Sequence, residues 1–233
     1  MKERLLVAAV LAAILGVALL ALVVFRFGRH DPSPPSLRDE PAMDIPGQVL
    51  FVDDEGCVVQ AAASGARFEE LYCGGWVSWV SWIDEDTVAF SEYRGEPTAG
   101  RSELRLSTGE VEHTANPTQF KMEVPESVNG ELAQVEYSGE VYIRSGGERR
   151  EIADFDVPEG RPPVFVTWSP DGEWMLLQYT PPKGQGSELW VLSRDGSVSG
   201  TLATGVQGWG PQTVSWWIDG RGYLPELFAQ IGR

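Results

Sequence analysis

The chain has 233 residues and a formal charge of −16 at pH 7, from 34 Asp+Glu against 18 Lys+Arg. That balance excludes the basic footprint of a nucleic-acid binder. Two cysteines without a neighbouring histidine exclude a zinc centre, and no motif calls for a cofactor.

Residues 1–4 form a short tail carrying Lys2 and Arg4. Leu5 to Phe25 follows as 21 uncharged, mostly apolar residues. As a helix this run spans roughly 30 Å, the thickness of a bilayer core, and it reads as a transmembrane anchor. A cleaved signal peptide is the competing reading, but its apolar region is normally shorter and ends at a small-residue cleavage site. Arg26 and Arg29 lie beyond the run, so flanking positive charge orients it only weakly.

Residues 26–46 hold Pro32, Pro34, Pro35, Pro41 and Pro46 among Ser, Arg, Asp and Glu. Such a stretch lacks the apolar residues for a core and reads as an extended, semi-rigid linker. Residues 31–233 carry 14 Lys+Arg against 33 Asp+Glu, a net of −19. A domain of that charge is repelled by an anionic membrane surface. A cytoplasmic N-terminus with the following domain outside the cytoplasm is the orientation expected.

The domain is expected over residues 47–225, with 226–233 as a C-terminal tail. Gly, Pro and turn dipeptides recur too often for long helices, while Val, Trp, Tyr and Thr are plentiful. The expected class is all-β. Gln48 to Val52, a turn at Asp53 to Gly56, and Cys57 to Ala61 look like the middle of a sheet that lacks its first strand. Cys57 and Cys73 fall on what should be neighbouring strands. In an exported domain they favour a disulfide over two buried free thiols.

The most informative segment runs from Val166 to Tyr179. It reads as a strand, a tight Ser169-Pro170-Asp171-Gly172 turn and a second strand. Pro170 presets φ, and Gly172 accepts the positive φ that closure needs. A third strand follows at Ser187 to Leu192 and a fourth near Val198. Fainter copies flank it. Trp82-Ile83-Asp84-Glu85-Asp86 stands 86 residues upstream of Trp168, and Ser102 to Leu106 stands 85 residues before Ser187 to Val191. The offset is two periods of about 43 residues, the length of a propeller blade. The intervening copy falls near residue 125 and runs through Ser127 to Gly130, Leu132 to Tyr137 and Glu140 to Ile143. A last copy, Trp217-Ile218-Asp219-Gly220, leads Val214 to Leu224, a first strand without successors. Pairing it with Gln48 to Ala61 would complete one sheet and remove an exposed edge. The expected architecture is a small β-propeller of about four blades, closed by the C-terminal strand or left as an open arc. An irregular β-sandwich is the alternative.

The Trp168-Ser169-Pro170-Asp171-Gly172 pattern, followed by an apolar strand and Ser187 to Leu192, resembles the WD-like repeats of the Tol-Pal-type periplasmic propellers. The same repeats form the propeller domains of prolyl-oligopeptidase-type enzymes. The resemblance implies a propeller over roughly residues 47 to 225. Family members usually have six or more blades, and this chain has room for about four.

Catalytic patterns are missing from the sequence. There is no Gly-x-Ser-x-Gly elbow, no phosphate-binding loop and no His-Glu-x-x-His. His30 reads as a linker residue and His113 as a solvated one. Asp53 to Glu55 and Asp84 to Asp86 sit at predicted turns, where Asp bonds its own backbone; a calcium site at one face is the functional alternative. Nine tryptophans are more suggestive. Trp76, Trp79, Trp209 and Trp216 lie in two similar segments before predicted first strands. They either pack between blades or form an aromatic rim. The expected function is a membrane-anchored, extracytoplasmic, non-enzymatic module binding a protein or cell-envelope ligand. The alternative is a ligand-sensing or carbohydrate-binding domain using the tryptophans.

Protease treatment of intact cells should remove residues 31–233 while Leu5 to Phe25 stays in the membrane. A protected domain, or a mature N-terminus beyond Phe25, overturns this topology.

Overall fold

The computed structural model describes residues 44–65, 67–93, 100–114, 126–157, 161–182, 186–207 and 211–223. The expected anchor, the linker before Asp44, Trp209 and the C-terminal tail lie outside them. No helix among the described residues is long and apolar enough to cross a membrane.

Among the described residues, regular structure is antiparallel sheet apart from one 3-10 turn at Pro211–Thr213. The first sheet begins with β1 (Gln48–Val52), β2 (Val58–Ala62) and β3 (Phe68–Tyr72). The second holds β4 (Trp76–Trp82), β5 (Thr87–Tyr93), β6 (Gly100–Arg105) and β7 (Glu110–Thr114). The third holds β8 (Leu132–Val135), β9 (Glu140–Ser145) and β10 (Glu148–Asp154). The fourth holds β11 (Val164–Trp168), β12 (Trp174–Tyr179), β13 (Ser187–Ser193) and β14 (Ser199–Val206). The chain then returns to the first sheet. There β15 (Val214–Ile218) pairs with β1, and the short β16 (Gly222–Tyr223) pairs with β15.

The expected clasp is therefore present. Gln48 faces Trp217 and Phe51 faces Val214 across β1 and β15. The approach is close at Gly47, where φ is 93° and an added Cβ would fall 2.1 Å from the Trp217 carbonyl oxygen. Only glycine fits there. Contacts with the domain begin inside the proline-rich stretch: Ile45 is buried, and the Trp216 indole donates to the Pro46 carbonyl at 3.1 Å.

The turn rules explain the repeats. In the fourth sheet Gly172 N donates to Ser169 O at 2.9 Å, and Trp174 N donates to Ser169 Oγ at 2.9 Å. The third sheet repeats the pattern at lower sequence similarity. Gly130 N donates to Ser127 O at 2.9 Å and Glu131 N to Ser127 Oγ at 3.1 Å. The strand after this turn is thus equivalent to β12. The three strands of the third sheet correspond to the second, third and fourth strands of a blade.

The sheets stack face against face. Val49, Phe51 and Trp216 of the first sheet meet Val166, Leu176, Leu189 and Val191 of the fourth. The opposite face of the first sheet, with Leu50, Val52 and Trp217, meets Val77, Val80, Trp82 and Phe90 of the second. The other face of the fourth sheet, with Trp168, Met175, Leu177 and Leu192, meets Val141 and Ile143 of the third. Four sheets joined through three successive apolar seams are propeller-like and rule out a two-layered sandwich. The first sheet is buried on both faces, which is why β1 and β15 are apolar without alternation.

Removing Trp216 to Arg233 strips β15 from two seams at once. The truncated chain should lose cooperative melting of the whole domain. A thermal transition matching that of the full-length protein would show that the clasp is dispensable.

Candidate functional site

The tryptophans of β4 are spaced by three residues, which does not match the two-residue period of a strand. A bulge between Val77 and Trp79 resolves the mismatch. It places Val77, Val80 and Trp82 toward the first sheet and leaves Trp76 and Trp79 on the other face. Trp82 packs on Trp217 at 5.8 Å between ring centroids. Trp79 is buried, and Trp216 is buried in the seam with the fourth sheet. Trp76 is 43% exposed. Of the four expected rim residues, the structure thus leaves Trp76 at the surface, sets Trp216 in a different seam, and does not describe Trp209.

Sequence reasoning missed the residue beside Trp76. Tyr93 is its cross-strand partner and is 46% exposed. Nothing in the local pattern of β5 marks it, because its exposure follows from the pairing register.

The expected disulfide is formed between Cys57 and Cys73, with 4.6 Å between Cα atoms. It ties the start of β2 to the residue after β3, just before the Gly74-Gly75 link into β4. Glu70 brings a carboxylate oxygen within 4.8 Å of both sulfurs. With both thiols in the disulfide, this group lacks the thiolates a soft metal needs.

A buried polar network spans the first and second sheets. Glu92 is 2% exposed. Its Oε2 accepts from Tyr72 Oη at 2.6 Å, and its Oε1 accepts from Ser102 Oγ at 2.9 Å. Ser102 Oγ also lies 2.8 Å from His113 Nδ1, and Glu92 Oε1 lies 3.3 Å from the same nitrogen. The residue types are those of a nucleophile, base and orienting acid. The geometry is not. A catalytic histidine bridges, with nucleophile and acid on opposite ring nitrogens. Here both sit at Nδ1, and Ser102 is fully buried. The network is an acceptor hub for a buried carboxylate, holding Tyr72 of the outer strand β3 against the second sheet.

The acidic turns serve the backbone. Asp53 Oδ1 accepts from Cys57 N at 2.8 Å and Glu55 N at 3.1 Å. Asp84 Oδ1 accepts from Asp86 N at 2.9 Å. Asp86 takes both the amide and hydroxyl of Ser107 at 2.7 Å, which lowers its pKa. The Asp195 carboxyl is lowered to about 2 by hydrogen bonds from Ser193 and Ser197. Asp53 goes the other way. Burial raises its pKa despite the two amide donors, and the charges of Asp54 and Glu55 add to the rise. Among the described residues, neither turn gathers carboxylates into a calcium cage.

No protein-family model matches the chain, and no curated protein does. Solved structures are similar to it at low identity. A nidogen/laminin complex matches at 11% identity over 67% of this chain, with a TM-score of 0.27. Tricorn protease matches at 13% over 70%, with a TM-score of 0.26. A putative TolB from Agrobacterium tumefaciens matches at 13% over 71%, with a TM-score of 0.24. This chain spans 61%, 18% and 63% of those chains, respectively. The propeller-like arrangement of this chain is defined by its own sheet order and seams.

Replacing Asp53 by Asn keeps an Oδ1 acceptor for both amides and removes the desolvated charge. A carboxyl whose folded pKa is raised favours folding at low pH and opposes it as pH rises through that value. Asp53→Asn should therefore melt at or above the wild-type temperature at pH 7, with the difference closing as pH falls toward 4. A variant clearly less stable at pH 7 would mean that the charge itself holds the turn.

Proposed function

We propose that this protein is a membrane-anchored, extracytoplasmic, non-enzymatic interaction module that binds a protein or cell-envelope ligand through the face bearing Trp76. The observation that carries the reading is the exposure of Trp76 on a strand whose other tryptophans, Trp79 and Trp82, are buried. Large aromatic side chains at a surface are the usual anchors of binding sites. Trp76 is also held rigidly: its ring lies over Gly56, where an added Cβ would come within 3.2 Å of Cε3. The Cys57–Cys73 disulfide is the immediate neighbour of this seat. A rigid aromatic loses little conformational freedom on binding.

The exported location is supported by the apolar run Leu5 to Phe25 and by the disulfide, which suits an oxidising compartment. The non-enzymatic character is supported by the buried Ser102 and the shared nitrogen of His113. A carbohydrate-binding domain is the second reading, since an exposed indole also stacks on sugar rings.

Single substitutions separate packing from binding. Trp216→Ala should lose about 3–5 kcal/mol of stability, as a buried aromatic does. Trp76→Ala should melt within about 0.5 kcal/mol of the wild type. A photo-crosslinking amino acid at position 76 should capture one envelope protein in living cells. Absence of any adduct at 76, with the domain folded and exported, would remove the interaction reading.

A further inference from the structure

Exposed aromatic area and an excess of acidic charge coincide at the start of β4. Trp76 and Tyr93 are direct cross-strand partners, which sets their Cβ atoms about 5 Å apart. Gly56 beneath the indole is fixed by its own amide, which donates to Asp53 O at 3.0 Å, and by Val77 N, which donates to Gly56 O at 3.2 Å. The surroundings are acidic. Asp54 and Glu55 precede Gly56 and are exposed. Glu70 is exposed beside the disulfide. From Gly47 to Arg94 the chain carries nine Asp and Glu and two basic residues, Arg67 and Arg94. Arg67 stands in the turn between β2 and β3, at the opposite end of β2 from the turn at residues 53–56.

We propose that the Trp76–Tyr93 pair is a docking site for a basic, extended segment of a protein partner. An arginine or lysine side chain stacks on the indole, and neighbouring cations of the same segment pair with Glu55 and Glu70. The inference rests on the interaction reading above and adds the chemistry of the partner. An aromatic face attracts a cation through its quadrupole, and tryptophan does so most strongly. The exposed carboxylates steer a basic chain to the rings and repel an anionic one. A neutral glycan would use the rings but draw nothing from the charge.

The test uses the full-length protein in detergent, with octa-arginine as the basic probe and chitotetraose as the neutral one, both titrated by calorimetry at physiological salt. Octa-arginine should bind. Trp76→Ala and Tyr93→Ala should each weaken it by roughly three- to tenfold, with unchanged melting. The Glu55→Gln, Glu70→Gln double variant should weaken binding and flatten its salt dependence. Trp76→Phe should retain most of the affinity, which separates a stacking role from a purely structural one. Equal binding by the wild type and both alanine variants would reduce the effect to bulk charge and overturn the proposal. Trp76-dependent binding of chitotetraose without binding of octa-arginine would also overturn it and favour the carbohydrate reading. If octa-arginine fails while position 76 still crosslinks to a protein, the basic-segment inference falls and the interaction module stands.

Discussion

The pairing of β15 with β1 is the constraint on which the rest of this domain depends. It joins residues such as Pro46 and Trp216 that lie 170 positions apart. Closing a loop of that length costs on the order of 5 kcal/mol of chain entropy. The return is large because β15 enters a sheet buried on both faces. Trp216 and Trp217 point into opposite seams, and each fully buried large apolar side chain contributes about 1.5–3 kcal/mol. Without β15 the first sheet would present an open apolar edge, and the seams on either side would lose their central element.

The seams also explain how aromatic residues are used. Indoles pack in the seams between the stacked sheets. Trp82 and Trp168 end β4 and β11, and Trp217 stands one residue before the end of β15, each packed in a seam. Trp216 serves the same purpose from the other face of β15. An indole that is not needed for a seam is therefore conspicuous. Trp76 stands in the same run as Trp79 and Trp82, yet its ring rests on a glycine turn and faces solvent. The same crossover carries the disulfide and the Gly74-Gly75 link, so the backbone around the exposed ring is restrained from both sides.

Net negative charge is distributed by two different rules in this fold. Asp84 and Asp195 accept from backbone amides within their own turns, and Asp86 accepts from the amide and hydroxyl of Ser107, 21 residues on. Glu92 is instead drawn inside and satisfied by Tyr72, Ser102 and His113 from three different strands. A buried carboxylate with hydroxyl donors on both oxygens fixes the relative position of the sheets that supply them. Ser102 and His113 are thus partners of a buried carboxylate.

What the sequence determined by itself was local or periodic. The Ser169 to Gly172 turn follows from short-range hydrogen bonds. The order of strands follows from the 43-residue repeat, the composite first sheet from the incomplete segments at either end of the domain, and the Cys57–Cys73 pair from the spacing of strands in one hairpin. Tertiary structure decided which side of each strand meets a neighbour. The bulge at the start of β4 put Trp76 and Trp82 on opposite faces although they share one regular sequence spacing. Trp216 became buried because the fourth sheet covers it, and Tyr93 became exposed because its register sets it opposite Trp76 at the strand end. Ile45 reads in the chain as linker, yet it is buried because elements far away in sequence close over it. Such burial depends on packing between sheets, and no turn rule or two-residue period encodes it.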